Sequence, residues 1–167
     1  MKMLGLPGRD PATDQWLQDL LGRLAGAGSD SSVHGYRHWH VAGDPDITYE
    51  AGLVADQRVD LVVAKSLGTM VLLAAAQQGF QPSAAVLIGV SVRAYSDDQL
   101  QALQQFVGER PCLCIQQAAD FTGPFRELEQ VLGGSNTTLV EVAGDDHIYS
   151  DTAELATQIE AWRAGLR

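Results

Sequence analysis

The 167-residue sequence has little positive charge, little cysteine and no long apolar run. Eleven Lys and Arg stand against 21 Asp and Glu, a formal net charge of -10. A surplus of that sign repels polyanions and argues against nucleic acid or anionic lipid as partners. The longest uncharged apolar stretch, residues 67–76, is about half of a membrane span. The first eight residues hold no apolar core of signal-peptide length, so the expectation is a soluble, cytoplasmic protein with no membrane partner. The two cysteines, Cys112 and Cys114, sit two apart in an apolar run. A strand there would hold their side chains parallel and too far apart to bridge, so they read as buried, reduced thiols. There is neither a G-x-G-x-x-G nor a glycine-lysine-serine loop, which sets aside a nucleotide-cradling role for Gly5-Leu6-Pro7-Gly8.

What is present is 46% apolar residue content with 19% charge over 17.9 kDa, the composition of one globular domain spanning 1–167. Apolar runs alternate with helical patterns from end to end, which predicts a parallel sheet with helices on its faces. The expected strands are 2–6, 33–41, 60–64, 84–88, 112–116 and 138–142. Runs such as Leu61-Val62-Val63-Ala64 and Ala85-Val86-Leu87-Ile88 read as strands buried on both faces. Between them, Leu17, Leu20, Leu21 and Leu24 recur at helical spacing behind Asp10, Pro11 and Thr13. A short helix is expected over 48–56, and one that is apolar nearly all round over 67–78. Ser96 with Gln99 forms a capping box ahead of Leu100, Leu103 and Val107. Phe125, Leu128 and Leu132 mark a helix ending at Gly133, and Leu155, Ile159, Trp162 and Leu166 mark a last one behind Asp151.

Chemistry concentrates where the third strand runs into the apolar helix, at Ala64-Lys65-Ser66-Leu67-Gly68. A small-x-Ser-x-Gly sequence at a strand-to-helix turn is the context of a nucleophile elbow. The sharp turn strains the serine backbone and pushes its hydroxyl outward, and only small residues fit two before and two after. The N–H of Leu67 then opens a helix, where unpaired donors and the helix dipole favour a developing oxyanion. A serine hydroxyl still needs a base and an orienting acid. Asp120 lies just past the fifth strand and His147 just past the sixth, and in an open α/β sheet those strand ends share one edge with Ser66.

The elbow, the segment Ile115-Gln116-Gln117-Ala118-Ala119-Asp120 and the segment Gly144-Asp145-Asp146-His147 together resemble the three catalytic segments of α/β-hydrolases, in the order Ser, Asp, His. The likeness is to small, capless members akin to dienelactone hydrolases and minimal serine esterases, with Ala64 where glycine is commoner. Leu4-Gly5-Leu6-Pro7-Gly8-Arg9 is similar to the family's oxyanion loop. The resemblance implies an α/β/α sandwich on a six-stranded, mainly parallel sheet of order 2-1-3-4-5-6, without the family's two outermost N-terminal strands. It implies a Ser66, His147, Asp120 triad, with the N–H of Arg9 as second oxyanion donor beside that of Leu67.

The expectation is therefore a serine hydrolase of a small carboxylic ester or thioester, needing no cofactor and no metal. The alternative is a binding or regulatory module that keeps the fold without useful turnover. Tyr95, Phe121, Ile148 and Tyr149 are expected to border a shallow site. Asp145 and Asp146 read as solvated charges, and Lys65 as a residue packing its stem or pairing with an acid. Arg93, after the fourth strand, reads as a solvated arginine, with contact to an anionic substrate as the alternative. His34, His38 and His40 fall on one face of the expected 33–41 strand, outward on a sheet edge rather than in a zinc site.

Overall fold

The fold is seen in a computed structural model that describes residues 1–135 and 137–166. Strands β1 (Lys2–Leu6), β2 (Asp30–Val33), β3 (Leu61–Lys65), β4 (Ala84–Ile88), β5 (Cys112–Gln117) and β6 (Thr138–Val142) form one sheet in the order β2-β1-β3-β4-β5-β6. Every neighbouring pair is parallel. This is the expected order, and it follows from helical connections that must cross from one strand to the next. The helices are α1 (Ala12–Leu24), α2 (Ile47–Val54), α3 (Leu67–Gln77), α4 (Asp97–Gly108), α5 (Phe125–Leu132) and α6 (Thr152–Ala164).

The alternation of side chains along the strands divides the core into two layers. Leu4, Leu6, Val62, Ala64, Ala85 and Leu87 pack with residues of α2 to α5. Met3, Leu61, Val63, Val86 and Ile88 pack on the opposite face with Leu17, Leu20 and Leu21 of α1 and Leu155 and Ile159 of α6. Strands covered on both sides have no polar face, which is why β3 and β4 read as continuous apolar runs. Burying each Leu or Val this way stabilises the fold by about 1.5–3 kcal/mol relative to exposure.

The capping residues act as their sequence suggests. Gln99 N–H donates to Ser96 Oγ at 3.3 Å, and Ser96 N–H donates to Gln99 Oε1 at 2.9 Å. Asp151 Oδ1 accepts from Glu154 N–H at 2.8 Å at the start of α6. Residues 89–96, between β4 and α4, hold only a short 3-10 turn, so no cap domain rises from this connection. Among the described residues no helix is long and apolar enough to cross a membrane.

The expected edge strand is corrected. It runs Asp30–Val33 rather than 33–41, and the chain then turns through a 3-10 segment at Arg37–Trp39. The alternation of Tyr36 and its histidines therefore belongs to a loop packed against its neighbours, and His34, His38 and His40 share no strand face. His34 Nε2 meets Glu50 Oε2 at 2.8 Å, Tyr36 is fully buried, and His38 Nε2 donates to Arg9 O at 3.0 Å.

Candidate active site

Ser66 sits between β3 and α3 at φ 50, ψ -114, a region that residues with a β-carbon enter at a cost. The turn is tight because α3 starts against the end of β1. A β-carbon on Gly68 would lie 2.0 Å from Leu6 O, so only glycine fits there. Behind the turn, Thr69 N–H and Oγ1–H both donate to Ser66 O, at 2.9 and 2.6 Å, and the Thr69 hydroxyl bonds that of buried Tyr95.

Asp120, in the loop after β5, is 1% exposed. Its Oδ2 lies 2.7 Å from His147 Nδ1 and accepts from the Tyr149 hydroxyl at 2.8 Å. Its Oδ1 accepts from the N–H and hydroxyl of Thr122 at 2.9 and 2.8 Å. Burial by itself would raise this carboxyl; the hydrogen bonds from His147, Thr122 and Tyr149 outweigh it and hold the pKa down at about 2. An ionised Asp120 accepts only, so Nδ1 of His147 carries the proton and Nε2 is left to face Ser66 Oγ at 2.8 Å. The structure thus brings Ser66, His147 and Asp120 into one hydrogen-bonded line.

His147 is set by its loop. Its φ is 61 and that of Tyr149 is 60. The His147 N–H donates to Gln117 Oε1 at 2.9 Å, and Gln117 Nε2 donates to Asp146 Oδ1 at 2.9 Å. Asp146 Oδ1 also accepts from Ile148 N–H at 2.8 Å, so Asp146 shapes the loop rather than standing as a free charge. Gly144, at φ 138, passes so close that a β-carbon would meet the Gln117 side chain at 2.4 Å. Lys65 is buried and donates from Nζ to His147 O at 2.8 Å, so its pairing is with a carbonyl and not with an acid.

At the other side of Ser66, the 7–9 loop is pinned by the segment that replaced the expected strand. Tyr36 Oη donates to Pro7 O at 2.9 Å, and Trp39 Nε1 donates to Arg9 O at 2.9 Å. Among the described residues, the N–H groups of Arg9 and Leu67 have no acceptor. The Arg9 side chain points outward to Asp44 at 2.8 Å. Arg93 is committed to Glu127 at 2.6 and 2.9 Å and to Phe121 O at 3.1 Å, and braces the Asp120 loop.

These elements frame a cleft of about 470 Å³ whose walls are largely apolar; Trp16, Lys65, Ser66, Phe121, His147 and Ile148 are among its lining residues. Phe121 and Ile148 are exposed on its border. Tyr95 and Tyr149 are not border residues: both are buried, one behind Thr69 and the other beneath His147 on Asp120. Their hydroxyls find partners inside, which fixes their direction. Gln117, Thr122 and Trp16 carry no sequence signal of a role here. Only their position at or just past the end of β5, or on the face of α1 turned to the His147 loop, could have suggested one.

No protein-family model matches the chain, and no curated protein sequence matches it significantly. Solved structures do match. The RedJ thioesterase of the prodiginine biosynthetic pathway in Streptomyces coelicolor is similar with a TM-score of 0.64 at 12% identity, covering 97% of this chain and 90% of its own. The esterase domain of a Rhodothermus marinus protein is similar with a TM-score of 0.63 at 16% identity, covering 96% and 84%. YbtT, a type II thioesterase of the yersiniabactin pathway, is similar with a TM-score of 0.60 at 16% identity, covering 96% and 91%. At these identities the likeness establishes the fold: the chain has the α/β-hydrolase fold, with no cap among the described residues.

Proposed function

We propose that the protein is a serine hydrolase that cleaves a small carboxylic ester or thioester by acyl transfer. The observation that supports this most is the unbroken relay from Asp120 Oδ2 through His147 to Ser66 Oγ, at 2.7 and 2.8 Å, opening into an apolar cleft. The three similar structures named as thioesterases and an esterase agree with that choice of bond.

In this reading Ser66 Oγ bonds to the acyl carbon while its proton passes to His147 Nε2. The carbonyl electron pair moves onto oxygen, and the N–H groups of Leu67 and Arg9 hold the resulting oxyanion, each worth about 3 kcal/mol of barrier. Asp120, ionised well below neutral pH, stabilises the imidazolium without taking its proton. His147 then protonates the leaving alkoxide or thiolate as the C–O or C–S bond breaks. A water molecule, deprotonated by Nε2, then bonds to the acyl carbon; the Ser66 Oγ–acyl bond breaks, the proton passes from Nε2 back to Oγ, and the carboxylic acid leaves. The chemistry needs no cofactor, and the two buried free thiols, Cys112 and Cys114, fit a reducing cytoplasm.

Hydrolysis of nitrophenyl esters and acyl thioesters of graded acyl length tests the reading. Wild type should turn over members of the series, and Ser66→Ala should lose roughly 10³-fold or more. Wild-type turnover in Ser66→Ala would move the nucleophile to another residue, and no turnover by wild type on any member would leave a module that binds without cleaving.

A further inference from the structure

We propose that Lys65 is a positioning residue for His147, gripping the peptide of the base from the elbow's own strand so that its imidazole stays in line with Ser66. The inference rests on the roles given above to Ser66 and His147.

Residues 61, 63 and 65 of β3 share one face by strand alternation, and Leu61 and Val63 pack there into the apolar layer with α1 and α6. Lys65 puts an ammonium on that face, where it is 3% exposed. A buried cation without partners is costly, so its contacts indicate what it is for. Nζ donates to His147 O at 2.8 Å. It lies 5.1 Å from the ring centre of Tyr149 and 5.8 Å from that of Trp16, over both faces. Each partner belongs to the base or holds it. Tyr149 carries the hydroxyl bonded to Asp120, and the Trp16 indole N–H donates to Tyr149 O at 2.8 Å.

The opposite side of the same residue is held from β5, where Gln117 Oε1 accepts the His147 N–H at 2.9 Å. His147 is therefore gripped at its N–H by one strand and at its C=O by another. The grip has a purpose because His147 and Tyr149 both stand at positive φ, a conformation that persists only when the surroundings impose it. Released, the loop would relax toward ordinary backbone angles and carry the imidazole off Ser66. A displacement of about 1 Å is enough to cost on the order of 100-fold in rate.

The charged groups facing the ammonium are Asp120, from the loop after β5, and Asp146, from the His147 loop; burial still prevails over both and pushes Lys65 down to about 8. Methionine would fill the same space without that cost. Activity and stability should therefore respond to Lys65→Met with opposite signs, as at other sites that trade stability for function.

The test compares Lys65→Met with wild type in kcat, KM, fluorophosphonate labelling rate, melting temperature and amide hydrogen exchange over residues 144–149. The expected result is a kcat and labelling rate lower by about 10- to 100-fold, with KM within about 3-fold. The melting point should stay equal or rise, and exchange in the loop should be at least about 10-fold faster. Unchanged kcat or unchanged exchange would overturn the proposal. So would a kcat lost together with a lowered melting point, which is the mark of a merely structural residue. If wild type itself failed to react with the probe, the serine-hydrolase reading would fall, while exchange in Lys65→Met would still decide whether Lys65 holds the loop.

Discussion

Replacing Ser66 by glycine and by alanine separates the strain of the turn from the chemistry of the hydroxyl. At φ 50, ψ -114 a β-carbon is disfavoured, and such conformations store about 1–3 kcal/mol. Alanine keeps the β-carbon and its strain, whereas glycine releases it. Both variants lose the 2.8 Å hydrogen bond to His147 Nε2, about 1 kcal/mol, which cancels in the comparison. Glycine also gives the unfolded chain more freedom, which costs it about 0.5–1 kcal/mol. The balance leaves Ser66→Gly more stable than Ser66→Ala by about 1 kcal/mol, or about 3 °C in Tm for a chain of this size. Urea denaturation of the two variants in parallel measures the difference, expected as a midpoint higher by about 0.5 M for glycine. A glycine variant less stable than the alanine one by more than about 0.5 kcal/mol would refute the reasoning, because Ser66 would then have ordinary backbone geometry.

Asp120→Asn should lower kcat by roughly 10⁴-fold, since asparagine no longer fixes the His147 tautomer, while exposed Asp145→Asn should change it less than about 3-fold. Steady-state kinetics on one ester decides, and a crippled Asp145→Asn would show that the acid is Asp145 and not Asp120. Because the Asp120 pKa is held at about 2 in the fold against about 3.9 unfolded, its ionisation stabilises the protein by about 2–3 kcal/mol at neutral pH. That stability is fully present above about pH 4 and is lost as pH falls through about 2, so urea midpoints of wild type and Asp120→Asn should converge over that window. Parallel curves from pH 5 to 2 would contradict it. With Phe121 and Ile148 standing exposed on the cleft border and no cap above them among the described residues, short acyl esters should give the highest kcat/KM, because long chains would remain largely in water. A steady rise of kcat/KM out to long chains would show that the cleft closes over its substrate.

The parts of this fold that were legible in sequence are those decided by local composition. β3 and β4 are buried on both faces, so they are apolar throughout, and Gly133 and the Ser96 capping box mark real helix ends. The edge strand was not legible. Asp30-Ser31-Ser32-Val33 is mostly exposed and needs no apolar alternation, whereas residues 34–40 alternate because Tyr36 is drawn inward by Pro7. The line of Ser66, His147 and Asp120 could be anticipated because each lies at a strand end, which a parallel sheet brings to one edge. The residues that hold the line could not. Gln117 and Tyr149 act through contacts about 30 residues apart in sequence, and whether Tyr149 faces the cleft or the core depends on a positive φ that a tyrosine does not advertise.

The central claim is that the Ser66 hydroxyl is an activated nucleophile. Fluorophosphonate treatment followed by intact-mass and peptide mapping tests it most directly. The account predicts one adduct per chain, carried by the peptide containing Ser66, absent in Ser66→Ala and strongly slowed in Asp120→Asn. No adduct on the folded wild-type protein, or an adduct at another serine that persists in Ser66→Ala, would contradict it.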